Sequence, residues 1–256
     1  MTVVLDLINQ LATAMDGDEV WRLATAHFRT RGFAMANYGY TRFRDATAIG
    51  NPRDAIYLTT CPPDYAQSYF GDGHYARTPA YRWALEHSGL TTWRWVEEDF
   101  RAGRLSRDEA AAVETNLALG IRAGLTISFP DPTPRHKGAL GLIADPGLDH
   151  DSVDAILSHS RAEIEAVAHV MHLRICQLPL PALRRRLSQR QREALEWVAQ
   201  GKTMQDIATL MKVSPAMVEK HLRLARQALE VETTSQAVAK ATLLNLIFPA
   251  MPSAEG

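Results

Sequence analysis

Cysteine is scarce in this chain, with only Cys61 and Cys176 among 256 residues. Two cysteines cannot build a disulfide framework, and these two lack metal-ligand spacing. A reducing compartment, the cytoplasm, is therefore the expected location. Apolar runs are short, and none approaches the ~18 residues that a membrane-spanning helix needs. The N-terminal segment has early acids and no basic leader, which argues against a secretory signal.

Enzyme signatures are also missing from the sequence. It contains neither a phosphate-binding P-loop nor a G-x-S-x-G nucleophile turn. His169 and His172 have no accompanying glutamate-bearing zinc motif. We therefore predict no catalytic residues, no metal site and no cofactor. The composition, 46% hydrophobic and 22% charged, indicates a globular protein with enough length for two domains.

Charge is distributed unevenly along the chain. Residues 184–240 contain eleven Lys and Arg against six Asp and Glu, a net charge of +5. The remaining residues contain 17 basic against 23 acidic side chains, a net charge of −6. A basic segment of this kind is the electrostatic footprint of phosphate contact. The alternative is a solvated basic face that has no partner.

Four helix patterns fall within residues 187–247, each with its own start signal. Two of the signals are capping boxes, Ser188 with Gln191 and Thr203 with Asp206. The third helix starts with Ser214 followed by Pro215, and the fourth with a hydroxyl residue, Thr234 or Ser235. Gly201 can end the first helix in a left-handed conformation. The buried face of this helix is expected to consist of Ala194, Leu195, Val198 and Ala199.

The third of these helices, predicted over residues 215–229, is rich in basic residues. Its buried stripe is expected to consist of Val218, Leu222, Ala225 and Leu229. The side chains left pointing outward are then Glu219, Lys220, Arg223 and Arg226. A short helix, a tight turn and a basic helix form the order of a helix-turn-helix, so DNA binding is the leading hypothesis.

The same segment resembles the C-terminal DNA-binding domain of LuxR-type regulators over about 60 residues. The matching positions are Leu187, Trp197, Gly201-Lys202-Thr203, Ile207-Ala208, Val213-Ser214, Val218, His221 and Gln236-Ala237-Val238-Ala239. One departure is Gln191, where the family usually has Glu; Gln still completes the capping box. The resemblance implies a homodimeric transcription regulator.

Specific DNA contacts can be predicted from positions on and near the third helix. Lys220 and Arg223 can reach guanine O6 and N7, and Glu219 can accept from cytosine N4. Phosphate contacts are predicted for Lys202, Thr203, His221 and Arg226. Two such domains would bind pseudo-palindromic half-sites about one helical turn apart, ~34–36 Å.

The first 175 residues alternate between helical and strand patterns. Helices are predicted over residues 3–15, 18–31, 63–70, 78–88, 109–119 and 152–175. Strands are predicted over residues 33–43, 55–59, 124–129 and 139–144. The expected fold is an α+β domain, with helices around a central antiparallel sheet, followed by an all-α four-helix domain.

Aromatic residues are crowded between residues 65 and 95. This group contains Tyr65, Tyr69, Tyr75, Tyr81, Trp83, Trp93 and Trp95. Tyr65 and Tyr69 are one helical turn apart and so share a face. Aromatic groups line many small-molecule sites, but they also pack cores, and the cluster by itself favours core packing.

This region resembles the autoinducer-binding domain of LuxR-type proteins, loosely over residues 20–170. The motifs are Pro62-x-x-Tyr65-x-x-x-Tyr69, Tyr75-x-x-Thr78-Pro79, Trp93 and Gly120-x-x-x-Gly-Leu-Thr. In the family, a Trp, a Tyr and an Asp bond the lactone carbonyl, the acyl carbonyl and the amide N–H of an acyl-homoserine lactone. The resemblance implies ligand-binding roles for Tyr65, Tyr69, Thr78, Pro79, Trp93 and Gly120.

The chain departs from the family at two of these positions. Tyr65 replaces the lactone-binding Trp, and Thr78 replaces the Asp, so charge-assisted bonding to an amide is lost. The resemblance then implies a ligand that is not a standard acyl-homoserine lactone. A regulator that needs no ligand and has a vestigial pocket is one alternative. A metabolite-binding protein or enzyme with a helical tail is another.

These patterns predict the following division of the chain: a sensing and dimerisation domain over 1–175, a linker over 176–186, a DNA-binding domain over 187–247 and a tail over 248–256. Pro179 and Pro181 favour extended backbone in the linker. Ligand binding is expected to favour a folded dimer that sets the spacing of the two DNA-binding domains.

Overall fold

The structure, a computed structural model, describes residues 2–44, 48–130, 133–178 and 187–248. Contacts divide the chain into two units, made of residues 1–13 with 20–173 and residues 14–19 with 174–256. The first is α+β and the second is mainly helical, as predicted. Most of the predicted linker, residues 179–186, and all but the first residue of the predicted tail lie outside the described residues.

A five-stranded antiparallel sheet forms the centre of the α+β unit. Its strands are β1 (Met35–Thr41), β2 (Ile56–Thr59), β3 (Gly89–Thr92), β4 (Gly124–Ser128) and β5 (Lys137–Ile143). They lie in the order β2-β1-β5-β4-β3. The register pairs Tyr38 of β1 with Leu140 of β5, and Leu140 with Ile127 of β4. The central strand, β5, therefore pairs with β1 on one side and with β4 on the other.

The two faces of this sheet differ in side-chain size, because successive residues of a strand point to opposite faces. One face contains large residues with no exposed surface: Tyr38, Leu125, Ile127, Leu140 and Leu142. The alternate positions contain small or polar residues: Asn37, Gly39, Thr126, Ala139 and Gly141. The first face packs a core. The second leaves space beside the sheet.

Among the described residues, seven α-helices belong wholly or mainly to this unit. They are α1 (Thr2–Thr13), α2 (Gly17–Thr30), α3 (Pro63–Ala66), α4 (Pro79–Glu86), α5 (Arg94–Arg101), α6 (Arg107–Ala118) and α7 (His150–Gln177). The sequence pattern of α7 predicts a buried face of seven residues; Val153, Ile164, Val167, Ala168 and Met171 are buried, whereas Ile156 and Leu157 are half-buried. His172 of α7 stacks on Phe129 with 4.1 Å between ring centroids. The Tyr38 hydroxyl lies 2.9 Å from its Nδ1.

One strand and one α-helix of this unit were not predicted from the sequence. Strand β3 is only four residues long, too short to show alternation, and helix α5 contains the acidic run Glu97-Glu98-Asp99. The helix predicted over 63–70 is also wrong in part. Its α-helical turn ends at Ala66, and residues Gln67–Gly71 continue as a π-helical turn.

The second unit contains the four predicted helices: α8 (Gln189–Ala199), α9 (Met204–Met211), α10 (Pro215–Leu229) and α11 (Thr234–Leu243). Complete capping boxes begin α8, α9 and α11. The hydroxyl of Ser214 accepts from the Met217 N–H at the start of α10. Two details of the prediction are wrong. Thr233, not Thr234 or Ser235, caps α11, and Ala199 is exposed because it lies at the end of α8.

The stripe of apolar residues predicted for α10 is buried in the core of the helical unit. Val218, Leu222, Ala225 and Leu229 are each at most 2% exposed. Gly201 has φ +78° at the end of α8, so the left-handed conformation predicted there is present. Among the described helices, none is both long enough and apolar enough to cross a bilayer.

Candidate functional site

A cavity of about 570 Å³ lies on the small-residue face of the sheet. Its wall includes Asn37, Tyr65, Tyr69, Thr78, Pro79, Ala80, Trp93, Val96, Phe100, Val113, Asn116, Leu117, Ile121, Ala123, Gly141 and Ile143. The cavity exists because glycine and other small side chains occupy alternate positions of the central strands, while aromatic and aliphatic side chains from the helices form the rest of the wall.

The aromatic part of the wall begins at α3. The Tyr65 and Tyr69 rings stack at 5.4 Å between centroids, with 15° between their planes. Burial, with a contribution from the neighbouring Tyr69, raises the pKa of Tyr65. Burial raises the pKa of Tyr69 to about 12. Both phenols are therefore protonated near neutral pH, and each retains an O–H that can donate.

The hydroxyl of Thr78 already has protein partners. It donates to the Tyr75 carbonyl oxygen at 2.8 Å and accepts from the Tyr81 N–H at 3.2 Å. Thr78 thereby caps α4, and Pro79 occupies the first helical position, where a missing N–H has no cost. The indole of Trp93 is also engaged, because its N–H donates to Thr126 Oγ1 at 2.8 Å.

Charged residues form the rim of the cavity. Arg94 donates to Asp151 at 2.6 Å and to Asp154 at 2.7 Å. Arg101 donates to Glu97 at 2.7 Å, and His150 Nε2 lies 3.4 Å from the other oxygen of this carboxylate. These pairs neutralise most of the charge at the rim. The wall beneath them is predominantly apolar.

Two buried polar atoms of the wall residues have no hydrogen-bond partner. They are Asn116 Oδ1 and His150 Nδ1. His150 is only 8% exposed. Unsatisfied buried polar atoms are uncommon in proteins and indicate a strained position or the place of a missing partner.

A second, smaller cavity of about 100 Å³ shares Asn37, Tyr69, Ala80, Trp93 and Gly141 with the first. Its other walls are mainly aromatic and aliphatic, from Tyr57, Phe70, Tyr75, Ala84 and Leu85. The Tyr57 and Tyr75 hydroxyls lie 3.1 Å apart. Tyr69 and Trp93 thus stand between a larger space with polar groups and a smaller apolar space.

The structure brings together five of the six ligand positions predicted from the sequence. Tyr65, Tyr69, Thr78, Pro79 and Trp93 line the larger cavity. Gly120 does not line it; with φ +79° it follows the end of α6, and its N–H donates to the Leu117 carbonyl oxygen. Asn37 lines both cavities and was missed. A lone polar residue in a strand has no motif that would have marked it.

The predicted DNA-contacting side chains occupy the exposed side of the helical unit. Lys202, Thr203, Glu219, Lys220 and Arg223 are exposed, and His221 and Arg226 are half-buried. The Thr203 hydroxyl donates to the Asp206 carboxylate at 2.6 Å within its capping box. Its hydrogen is thus already engaged, which leaves Thr203 less able to donate to a phosphate than the sequence suggested.

Two family models match the chain: the autoinducer binding domain over residues 16–175, and the bacterial regulatory proteins of the luxR family over residues 185–241. The chain is 34% identical to the HTH-type quorum sensing-dependent transcriptional regulator RpaR of Rhodopseudomonas palustris, over 73% of this chain and 72% of RpaR. It is 26% identical to the transcriptional activator protein SolR of Ralstonia nicotianae, over 94% of this chain and 98% of SolR.

A solved structure has the same fold. The crystal structure of Escherichia coli SdiA matches 96% of this chain and 98% of its own with a TM-score of 0.51 and 16% identity. The sheet, the cavity and the helix-turn-helix define a ligand-controlled transcription regulator. Because the autoinducer model alone covers more than half of the sequence, the chain belongs to the LuxR family. This family consists of transcription regulators, which excludes the enzyme alternative.

Proposed function

We propose that the 570 Å³ cavity holds the small-molecule signal of this regulator. Cavities of about 300–1,000 Å³ with apolar walls and a few polar groups are typical of small-molecule sites. Tyr65, Tyr69, Thr78, Pro79 and Trp93 are the proposed contacts, together with Asn37. Gly120 contributes indirectly, by ending α6 and so fixing the entry of the chain into the cavity wall at Ile121.

DNA recognition is assigned to α10. Its cationic side is exposed, and its buried stripe fixes the orientation of that side on the helical unit. Base contacts are proposed for Glu219, Lys220 and Arg223. Phosphate contacts are proposed for Lys202, Thr203, His221 and Arg226.

The proposed assembly is a homodimer on a pseudo-palindromic operator in the cytoplasm. A symmetric dimer presents two α10 helices, which suits half-sites ~34–36 Å apart. The proposed domains are those of the sequence: sensing and dimerisation over 1–175, linker over 176–186, DNA binding over 187–247 and tail over 248–256. Ligand binding would favour the dimer and thereby operator affinity.

The existence of a cavity of this volume is the observation on which the sensing function rests. The test has two parts. Mass spectrometry of the purified protein should detect a co-purifying small molecule. Restoring that molecule to ligand-stripped protein should raise the melting temperature and the affinity for a duplex selected from random sequences. An increase in one of the two without the other would contradict the proposed coupling.

One observation favours a ligand-independent regulator as a second candidate. The Thr78 hydroxyl and the Trp93 indole N–H are already bonded within the protein, so two potential ligand-binding groups are engaged. In this case the stripped protein would bind its operator with full affinity. The cavity would then be a vestige of the family's ligand site.

A further inference from the structure

We infer that the signal presents carbonyl oxygens to Tyr65 and Asn37 and directs no amide N–H at Thr78. The inference depends on the proposed ligand site and specifies the chemical class of its occupant. That class is an ester, lactone or ketone in which no amide nitrogen faces α4. The inference follows from which donors and acceptors of the cavity wall are still available.

The orientation of the Asn37 amide is fixed by Thr59. The Thr59 hydroxyl oxygen accepts from the Cys61 N–H at 2.9 Å, and its hydrogen is donated to Asn37 Oδ1 at 2.6 Å. The Cys61 thiol also donates to Asn37 Oδ1, at 3.4 Å. The Asn37 oxygen is occupied, and the group that Asn37 retains for other partners is its NH₂, a donor.

Tyr65 extends this set of donors. Its phenol interacts with the Asn37 amide, and it is protonated near neutral pH because burial raises its pKa. When an Asn37 N–H donates to the phenol oxygen, the phenol hydrogen can be donated to another group. Both side chains line the larger cavity. The groups that Tyr65 and Asn37 offer a ligand are therefore donors, which match carbonyl oxygens.

The Thr78 hydroxyl has at most one lone pair left for an additional donor. Its hydrogen is on the Tyr75 carbonyl oxygen, and the other lone pair receives the Tyr81 N–H. A ligand amide N–H directed there would compete with the Tyr69 phenol, which lies beside the same hydroxyl, for this lone pair. An ester oxygen or a methylene group at the same place needs no partner.

Other acceptors of the cavity do not replace Thr78. The carboxylates of Glu97 and Asp151 belong to the rim and are paired with arginines. The Asp149 carboxylate accepts from the N–H and the hydroxyl of Ser152. Asn116 Oδ1 is unpartnered, but it is fully covered in the structure. The variant Asn116→Leu tests whether a ligand amide uses this oxygen.

The experiment compares matched ligand pairs on the full chain. Each pair consists of an acyl-homoserine lactone and its ester analogue, in which oxygen replaces the amide N–H; hexanoyl, octanoyl and dodecanoyl chains are used. Affinities are measured by calorimetry for wild type, Thr78→Asp and the control Thr78→Ser. Asp and Ser both cap helices well, so both variants retain the start of α4. The Tyr75 carbonyl oxygen keeps the Thr78 backbone N–H as a partner.

The wild type and Thr78→Ser are expected to bind the ester at least as tightly as the amide. Thr78→Asp is expected to reverse this preference by about tenfold to a hundredfold, because the second carboxylate oxygen can accept the amide N–H. A tenfold preference of the wild type for amides would overturn the inference. If Asn116→Leu then lost this preference, Asn116 would be the acceptor of the ligand amide.

Failure of every pair to bind would also overturn the inference, because the carbonyl class itself would then be wrong. The proposed sensing function has a separate readout, which is the co-purifying molecule and its effect on operator affinity. The two hypotheses can therefore fail independently.

Discussion

The guanidinium of Arg226 donates to the Glu219 carboxylate at 2.9 Å, although the two residues are seven positions apart on α10. Seven residues are close to two helical turns, so both side chains lie on one side of the helix. The same guanidinium donates to Thr234 Oγ1 at 2.9 Å, at the start of α11. Arg226 thus links two helices and restrains the carboxylate that is proposed to read a base.

The variant Glu219→Gln tests whether this carboxylate reads DNA. We expect discrimination between operator and random duplexes to fall by roughly tenfold, since a bidentate or charged base contact contributes about 1–3 kcal/mol. Binding to random DNA should become tighter, because a negative charge close to the phosphates is removed. Glu232→Gln removes the same charge between α10 and α11 and is the control. Unchanged base preference would mean that Glu219 serves only to hold Arg226.

Arg223→Ala and Lys202→Ala should separate base contacts from phosphate contacts. Arg223→Ala is expected to weaken operator binding by about 1–3 kcal/mol and to relax the preference at one base pair. Lys202→Ala should weaken binding to all duplexes and lower the salt slope by about one unit. Titrations of both variants against operator and random DNA, at several salt concentrations, measure this difference. Equal losses for Arg223→Ala on both duplexes would make Arg223 a phosphate contact.

Local signals made the helical unit largely predictable from the sequence. The caps at Ser188, Thr203 and Ser214 and the stripe on α10 are determined by residues within a few positions of each other. Strand β3 was not predictable in this way. Its four residues form a strand because they pair with β4, and no sequence feature within residues 89–92 indicates this pairing.

The cavity, like strand β3, could not be predicted from local sequence patterns. Of the residues marked by the family motifs, Tyr65, Tyr69, Thr78, Pro79 and Trp93 line the cavity and Gly120 does not. The space itself results from small residues on three strands that are distant in sequence. The donor role inferred for Asn37 depends on Thr59, which reaches it through the pairing of β1 with β2. No local pattern contains that relationship.

Filling the cavity should weaken ligand binding without unfolding the protein. A Cβ added to Gly141 would lie 3.8 Å from the Trp93 ring and 3.9 Å from the Asn37 carbonyl oxygen, which are ordinary contacts. Gly141→Val is therefore expected to keep a native circular dichroism spectrum and to lose about tenfold or more in ligand affinity. At Gly124 the added Cβ would lie 2.3 Å from the Leu142 carbonyl oxygen. Gly124→Val should therefore destabilise the fold, and equal behaviour of the two variants would contradict the cavity geometry.

Acidification should destabilise the α+β unit through His27. Burial lowers the pKa of His27 below 6.5; Glu163 opposes this shift and Arg31 adds to it. The folded state then binds fewer protons than the unfolded state between the two pKa values, so stability is complete above pH 6.5 and falls as the pH decreases below it. His27→Gln should reduce this dependence in urea unfolding curves measured above and below pH 6.5. His159→Gln makes the same substitution at an exposed histidine of α7 and is the matched control.

The turn of the helix-turn-helix contains a strained residue whose replacement should stabilise the protein. Lys212 has φ +56° and ψ +45° after α9, a left-handed conformation that costs a non-glycine residue about 1 kcal/mol. Lys212→Gly removes the clash but adds freedom to the unfolded chain, so we expect a net gain of roughly 0.5 kcal/mol. Slower hydrogen exchange of the α9 and α10 amides in the full chain would show this gain in stability. Lys220→Gly, within α10, should instead cost about 1 kcal/mol. If both variants destabilised the protein, the turn would tolerate Lys212 without strain.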